Sequence, residues 1–264
     1  MPTTIAGDPV ARSIELAVND SKAVVTFQEV NPERPVLLLH GGAGPASVLS
    51  FGTLLAARQH RRVITPTHPG FNGTTRPDDL KNMKDLAQLY VSLLDELDLH
   101  EVTLIGNSIG GWLAAEIALS GTPRVRAAVL IDAVGADIPG HPVTDISGLT
   151  PPELQKLSFY DASRLTQDPS APAPAPELVA ANMDALAVYG GTMQDATLLD
   201  RLGRLDLPIQ LIWGAADGIV TPDYGRAYAN AIPGARFTVI DDAGHLPQLE
   251  TPEKVLAAMA ELDA

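Results

Sequence analysis

Short apolar runs alternate along the chain with longer segments in which apolar residues recur at helical spacing. Two of the runs, Val36–Leu39 and Val129–Ile131, are continuously apolar, as is typical of strands covered on both faces. The predicted strands are Ile14–Val18, Ala23–Gln28, Pro35–His40, Arg62–Pro66, Glu101–Gly106, Val125–Ile131, Leu207–Trp213 and Arg236–Ile240. The predicted helices are Ser47–Arg58, Met83–Leu97, Ile109–Ser120, Pro222–Ala231 and Pro252–Leu262. After an antiparallel pair, this alternation predicts an α/β fold with a mostly parallel central sheet and helices on both faces.

One long segment interrupts the alternation. Between Val134 and about Leu202 the pattern predicts no strand. An excursion of this length between two strands of a compact domain is more often a functional lid than an idle loop. The chain is therefore predicted to consist of a core, residues 1–133 and 203–264, and a small helical cap, residues 134–202.

The interrupting segment itself contains two helical patterns. Thr150-Pro-Pro-Glu153 is a capping box with proline at the first helical position, which predicts a helix from about Pro151 to Leu165. The run from Asp168 to Pro176 alternates alanine and proline over much of its length and is predicted to be a spacer of polyproline character. Glu177–Tyr189 is predicted to be the second cap helix.

Composition narrows the class of protein. The 264 residues are 45% hydrophobic and 19% charged, which is enough material for a large core. The net charge of −14 repels phosphate backbones and anionic lipid, so neither a nucleic-acid partner nor a membrane surface is expected. The absence of cysteine excludes disulfides, thiolate zinc sites and a cysteine nucleophile. Charged residues break up the N-terminal segment and no run reaches the ~18 apolar residues of a membrane span, so a cytoplasmic protein is expected.

The strongest chemical signal is Gly106-Asn-Ser108-Ile-Gly110, which follows an apolar strand and opens a helical pattern. A sharp turn from strand to helix forces the serine into a strained conformation and lifts its hydroxyl clear of the sheet. Glycines on both flanks allow the strand and the helix to approach closely. The amide of Ile109, at the helix N-terminus, points at a developing oxyanion. Ser108 is therefore the candidate nucleophile.

A serine nucleophile needs a histidine base that is oriented by an acid. His245 lies in the loop between the last predicted strand and the last helix, where such a base would be delivered, whereas His68 is interpreted as a loop residue. Two acids follow predicted strands on the same sheet edge, Asp132 and Asp217, and the chain order Ser–Asp–His suits either of them.

The chain resembles the α/β-hydrolase superfamily over nearly all of its length except the insertion. The motifs that carry the resemblance are His40-Gly41-Gly42, His68-Pro-Gly-Phe71, the Ser108 elbow, Trp213-Gly-x-x-Asp217, and Gly244-His245 followed by Glu250-x-Pro252. The resemblance implies the α/β-hydrolase fold, favours Asp217 over Asp132 as the acid, and implies that Gly42 supplies a second oxyanion-hole amide beside that of Ile109. It also implies that the insertion is a cap that shapes an acyl pocket. The side chains available to line such a pocket are Trp112, Phe159, Tyr160, Met183, Tyr189 and Met193, and the four aromatic ones are the candidate substrate-binding residues.

Three functions remain open at this stage. The leading one is a serine hydrolase that cleaves a carboxylic ester-type acyl bond of a small molecule through an acyl-enzyme intermediate. The Gly-Asn-Ser-Ile-Gly-Gly and His-Gly-Gly-Ala-Gly-Pro segments are also similar to those of hydrolases that split carbon–carbon bonds in dicarbonyl ring-cleavage products. The third is a binding or receptor protein that retains the triad. No nucleotide-binding loop or metal-spaced cluster is present in the sequence, so no cofactor and no metal are expected.

Overall fold

The structure is a computed structural model that describes residues 9–19, 21–30, 34–164 and 175–262. Its strands, in chain order, are β1 (Val10–Val18), β2 (Ser21–Val30), β3 (Pro35–Leu39), β4 (Arg62–Pro66), β5 (Val102–Asn107), β6 (Val125–Ile131), β7 (Gly135–Ala136), β8 (Gln194–Asp195), β9 (Ile209–Gly214) and β10 (Arg236–Ile240). Eight of them form one sheet in the order β1-β2-β4-β3-β5-β6-β9-β10. Strand β2 runs antiparallel to both of its neighbours, and every pair from β4 to β10 is parallel.

Helices cover both faces of this sheet. They are α1 (Ala46–Gln59), α2 (Met83–Glu96), α3 (Ile109–Leu119), α4 (Pro151–Ser158), α5 (Pro176–Gly190), α6 (Leu198–Leu202), α7 (Pro222–Asn230), α8 (Pro247–Glu250) and α9 (Pro252–Met259). Successive residues of β3 point to opposite faces: Leu37 and Leu39 pack in the cluster that includes α2, α3 and α7. Val36 and Leu38 pack with α1 and α9 instead. Because both faces are buried, the strand is apolar at every position after Pro35.

The predicted fold class is confirmed, with shifts at the ends of elements. The sheet is mostly parallel, its edge begins with the predicted antiparallel pair, and each predicted core helix is present. Among the described residues, no helix combines the length and the apolar character that crossing a bilayer would require.

The cap segment differs from its prediction in three places. Helix α4 ends at Ser158 instead of Leu165, because Phe159 is extended and the carbonyl groups of Leu157 and Ser158 accept hydrogen bonds from core loops. A two-residue pair, β7 with β8, is parallel where no strand was predicted, since two residues are too short to leave a pattern. Helix α6 was likewise not predicted.

Other features of the cap follow the sequence. The capping box before α4 is present, with the Thr150 N–H donating to Glu153 Oε2 over 2.8 Å. Most of the predicted proline-rich spacer, residues 168–174, lies outside the described residues. The division into a core and a cap at residues 134–202 stays a prediction, although this segment adds no strand to the eight-stranded sheet.

Candidate active site

Ser108 lies in the sharp connection between β5 and α3. Its backbone has φ 57° and ψ −120°, a strained conformation for a residue other than glycine. The connection leaves room for no extra atoms at Gly106, where a Cβ would stand 2.0 Å from the carbonyl oxygen of Gly110. At Gly110 a Cβ would stand 2.3 Å from the carbonyl oxygen of Leu39. The two glycines are therefore required by close backbone approach, and the serine side chain is left facing a cavity.

His245 and Asp217 meet at the same edge of the sheet. Asp217 follows β9, His245 follows β10, and His245 Nδ1 lies 2.8 Å from Asp217 Oδ2. The carboxylate can only accept, so Nδ1 carries the hydrogen and Nε2 is left free to take up a proton. The other carboxylate oxygen of Asp217 accepts from the backbone N–H groups of Ile219 and Val220. Asp217 is buried, and His245 lines the same cavity as Ser108.

The loop that bears His245 is held by residues that the sequence did not single out. Asn107, the neighbour of Ser108 in the chain, donates from Nδ2 to the His245 carbonyl oxygen over 2.9 Å. The His245 N–H donates to the carbonyl oxygen of Ser158 at the end of α4 over 2.8 Å. Glu250 Oε2 accepts from the Gly244 N–H over 2.7 Å. Asn107 and Glu250 both stand inside motifs noted in the sequence, but local spacing carries no information on these long-range contacts.

Asp132, the second candidate acid, occupies a different position from Asp217. It follows β6 with a φ of 45°, is fully buried, and accepts from the Gly214 N–H at Oδ1 over 2.9 Å. Burial, and secondarily the neighbouring Asp217, raise the pKa of Asp132 well above its usual range. The carboxylate that hydrogen-bonds the histidine ring is therefore that of Asp217.

The two predicted oxyanion-hole residues, Gly42 and Ile109, line the cavity beside Ser108. Ile109 is the first residue of α3, so its N–H has no acceptor within the helix. The Gly42 N–H shares a peptide group with the Gly41 carbonyl, which accepts from His40 Nδ1 over 2.8 Å and from the Gly44 N–H over 3.1 Å. The C=O and N–H of a trans peptide point in opposite directions. These bonds therefore turn the Gly42 N–H away from His40.

His68 is a loop residue, as the sequence indicated, but it is buried against His40. The two rings stack with their centroids 3.8 Å apart, and the His68 N–H donates to His40 Nε2 over 3.1 Å. His68 Nε2 donates to the His40 carbonyl oxygen over 3.0 Å, so His68 Nδ1 accepts from the Tyr90 hydroxyl over 2.7 Å. Burial lowers the pKa of His40 to about 4 and holds that of His68 well below its usual value. Both imidazoles are therefore neutral, and together they hold the segment that contains Gly41 and Gly42.

A cavity of about 440 Å³ opens above Ser108. Its floor is formed by Gly41, Gly42, Ser108, Ile109 and His245. Its roof and walls come largely from the cap segment, through the mostly apolar side chains of Val143, Thr144, Ile146, Leu154, Leu178, Val179, Asn182, Met183, Leu186 and Met193. No Lys or Arg side chain lines it among the described residues. The cavity is therefore suited to an uncharged, largely apolar molecule.

Of the six side chains predicted to be available for the pocket, Met183 and Met193 line this cavity, whereas the four aromatic ones do not. Trp112 is buried in the core, where its Nε1 donates to Glu116 over 3.2 Å. Tyr189 is buried too, and its hydroxyl donates to the Pro69 carbonyl oxygen over 2.8 Å. Tyr160 is half exposed just after the end of α4, beside the half-buried Phe159. The geometry of the helices and loops that carry these aromatic side chains directs them away from the cavity. Residue type and position in the sequence do not reveal this direction.

Among the described residues, one group of acidic and histidine side chains has potential metal-ligand atoms that all lie within 4.8 Å of one another. Its members are Asp132, Asp217 and His245. The ring nitrogen of His245 that faces this grouping, and both oxygens of Asp217, already take part in hydrogen bonds.

The profile of the alpha/beta hydrolase family matches residues 36–258, which is most of the chain. The chain belongs to this family. It is a hydrolase.

Two relatives are similar to this chain over most of its length. The chain is 29% identical over 246 residues to a 2-hydroxy-6-oxononadienedioate/2-hydroxy-6-oxononatrienedioate hydrolase of Cupriavidus pinatubonensis, with 81% of each chain covered. It is also 29% identical over 258 residues to a 2-hydroxymuconate semialdehyde hydrolase of Pseudomonas putida, covering 87% of this chain and 88% of that one.

Solved structures share the fold at lower identity. A meta-cleavage product hydrolase from Pseudomonas fluorescens superimposes with a TM-score of 0.77 at 22% identity, covering 96% of this chain and 97% of the other. A thermophilic esterase from Thermogutta terrifontis superimposes with a TM-score of 0.76 at 24% identity, covering 95% and 97%. At these identities, the two likenesses show the fold alone.

Proposed function

We propose that this protein is a serine hydrolase that cleaves a carboxylic ester of an uncharged, largely apolar acyl compound. The observation that carries the proposal is the cavity that joins Ser108, His245, Gly42 and Ile109 under an apolar roof. A nucleophile, a base, two N–H donors and an apolar acyl pocket are the parts that acyl transfer requires.

In the proposed reaction, His245 Nε2 takes the Ser108 proton as the hydroxyl oxygen attacks the ester carbonyl carbon. The negative charge that develops on the carbonyl oxygen is stabilised by the N–H groups of Gly42 and Ile109, each worth ~3–4 kcal/mol in related serine hydrolases. The imidazolium, oriented by Asp217, then protonates the leaving alcohol oxygen. Water hydrolyses the acyl-enzyme by the same route and regenerates Ser108.

Cleavage of a carbon–carbon bond is the second candidate. The names of the two relatives given above are those of hydrolases that act on ring-cleavage-type compounds. The name of the Cupriavidus relative specifies a dioate substrate, which bears two carboxylates. A carboxylate inside the cavity of the present chain would meet no Lys or Arg among the described lining residues. Burying an unpaired charge is costly, so this observation favours the neutral ester.

The test is a panel of p-nitrophenyl esters, lactones and vinylogous diketones, together with three variants. We expect turnover of esters, and we expect Ser108→Ala to lower kcat by a factor on the order of 10⁶, as loss of the nucleophile does in related triads. Asp217→Asn should lower kcat by about 10⁴ because it leaves His245 in the wrong tautomer. Ser120→Ala, at an exposed serine on the far end of the same helix, is the matched control and should change nothing.

A phosphonate fluoride probe should label Ser108 in the wild-type protein, and labelling at another serine would contradict the assignment. Preferential turnover of the diketones would favour carbon–carbon cleavage. Labelling of Ser108 without turnover of any compound would favour the third hypothesis, a triad-bearing binding protein.

A further inference from the structure

Asp132 is a buried carboxyl group that the proposed mechanism does not use. It is fully buried at the end of β6, where its N–H donates to the Ile212 carbonyl oxygen over 2.9 Å. Its backbone has a φ of 45°, a region that aspartate tolerates better than most residues. The residue is therefore held rigidly at the sheet edge where Asp217 and His245 also lie.

The two oxygens of Asp132 have different surroundings. Oδ1 accepts from the Gly214 N–H over 2.9 Å, whereas Oδ2 is buried with no hydrogen-bond donor among the described residues. A buried carboxylate oxygen without a donor is unfavourable, because it has lost its water and gained no partner. A protonated oxygen at the same place needs an acceptor instead.

Such an acceptor is present. Oxygen atoms of Asp132 and Asp217 and a ring nitrogen of His245 lie within 4.8 Å of one another. Asp217 already accepts two backbone N–H groups and the His245 ring, which stabilise it as the ionised partner. The charged groups that act on Asp132 are Asp217 and Glu250, both acidic, so neither favours a second negative charge there.

We propose that Asp132 is a positioning residue that keeps its proton on Oδ2 and donates it in a hydrogen bond to the Asp217 carboxylate. This bond fixes the plane of the Asp217 carboxylate while Oδ2 of Asp217 accepts from His245. It also leaves one negative charge, not two, opposite the imidazolium that forms in the reaction. The inference rests on the proposed function for its catalytic consequence, but not for the protonation of Asp132.

The first test is the melting temperature of Asp132→Asn against that of the wild type between pH 4 and pH 8. A neutral Asp132 costs stability as the pH rises above its unfolded pKa, because the unfolded chain releases a proton that the folded chain retains. The amide has no such cost. We therefore expect the melting temperature of Asp132→Asn, relative to wild type, to rise steadily from pH 4 to pH 8. Asp241→Asn, the same change at an exposed residue, is the control and should show no such rise.

The second test compares kinetics. An asparagine can donate from its amide where Asp132 donates its O–H, so Asp132→Asn should keep kcat within about threefold, whereas Asp132→Ala should lose about tenfold, the order of one hydrogen bond to a charged group. KM should change little in either variant.

A relative melting temperature of Asp132→Asn that falls as the pH rises would overturn the proposal, since it would show an ionised Asp132. Equal loss of kcat in the Asn and Ala variants would overturn the positioning role. If Asp132→Ala fails to fold, the melting profile of the Asn variant decides the matter alone. That profile needs no turnover, so it stands even if no ester is hydrolysed.

Discussion

At the scale of single residues, the orientation of one peptide group depends on a pair of histidines. His40 donates to the Gly41 carbonyl, and His68 in turn holds His40 through three contacts, two hydrogen bonds and a ring stack. His40 can satisfy its partners only when it is neutral, because its Nδ1 donates to the Gly41 carbonyl and its Nε2 must accept from the backbone N–H of His68. The orientation of the Gly41–Gly42 peptide group is thus sensitive to the protonation of His40.

This arrangement predicts a pH dependence of stability that can be isolated with His40→Gln. The folded pKa of His40, about 4, lies below its unfolded value of 6.5. Its contribution to stability is therefore complete above pH 6.5 and is lost as the pH falls toward 4. We expect the free energy by which wild type exceeds His40→Gln to shrink by about 1.4 kcal/mol per pH unit across this window, measured by urea unfolding. A difference that does not vary with pH would contradict a neutral buried His40.

At the scale of elements, helix α4 joins the cap to both loops that carry the proposed base and acid. The Leu157 carbonyl accepts from the Gly218 N–H over 2.9 Å, and the Ser158 carbonyl accepts from the His245 N–H over 2.8 Å. The helix stops where its last carbonyl groups find these partners instead of continuing its own ladder. The proposed cap is therefore tied to the site by backbone bonds at this end, while α5 supplies side chains to the roof.

The side chains of α5 are expected to set the preference for acyl-chain length. Met183 lines the cavity but is 47% exposed, so shortening it should cost little stability. Met183→Ala should shift the kcat/KM ranking of p-nitrophenyl esters toward longer chains by about tenfold, since each methylene in an apolar pocket is worth ~1–3 kcal/mol. The melting temperature should remain near that of the parent.

Tyr160→Ala is the matched control for this experiment. Tyr160 is 50% exposed, also belongs to the cap segment, and does not line the cavity. Its removal should leave the chain-length ranking unchanged. If Tyr160→Ala altered the ranking and Met183→Ala did not, the assignment of the roof to α5 would be wrong.

At the scale of the whole molecule, the acidic surface should discriminate among charged substrates. A net charge of −14 repels anions at a distance, and salt screens this repulsion over ~10 Å at 0.1 M. We expect kcat/KM for an anionic p-nitrophenyl succinate monoester to rise by about threefold or more between low and 0.5 M NaCl. The neutral butyrate ester is the control and should respond little. A fall for the anionic ester with added salt would indicate a local cationic site instead.

The sequence by itself determined the fold class and the neighbourhood of the chemistry. Continuous apolar runs predicted β3 and β6 because burial on both faces leaves no polar position in a strand. The elbow around Ser108 could be predicted since its motif is local in the chain and Gly106 approaches the backbone of Gly110, four residues away. Parallel strand order then places residues that follow strand ends, such as Asp217 and His245, at one sheet edge.

Only the tertiary structure decided which side chains meet there. The pairing of His245 with Asp217, the burial of Asp132 near both of them, and the stacking of His40 on His68 join residues far apart in the chain. The aromatic side chains that were expected in the pocket do not line it, for the same reason. Residue type predicts that a side chain will be buried, but the direction in which it is buried depends on how separate elements pack against one another.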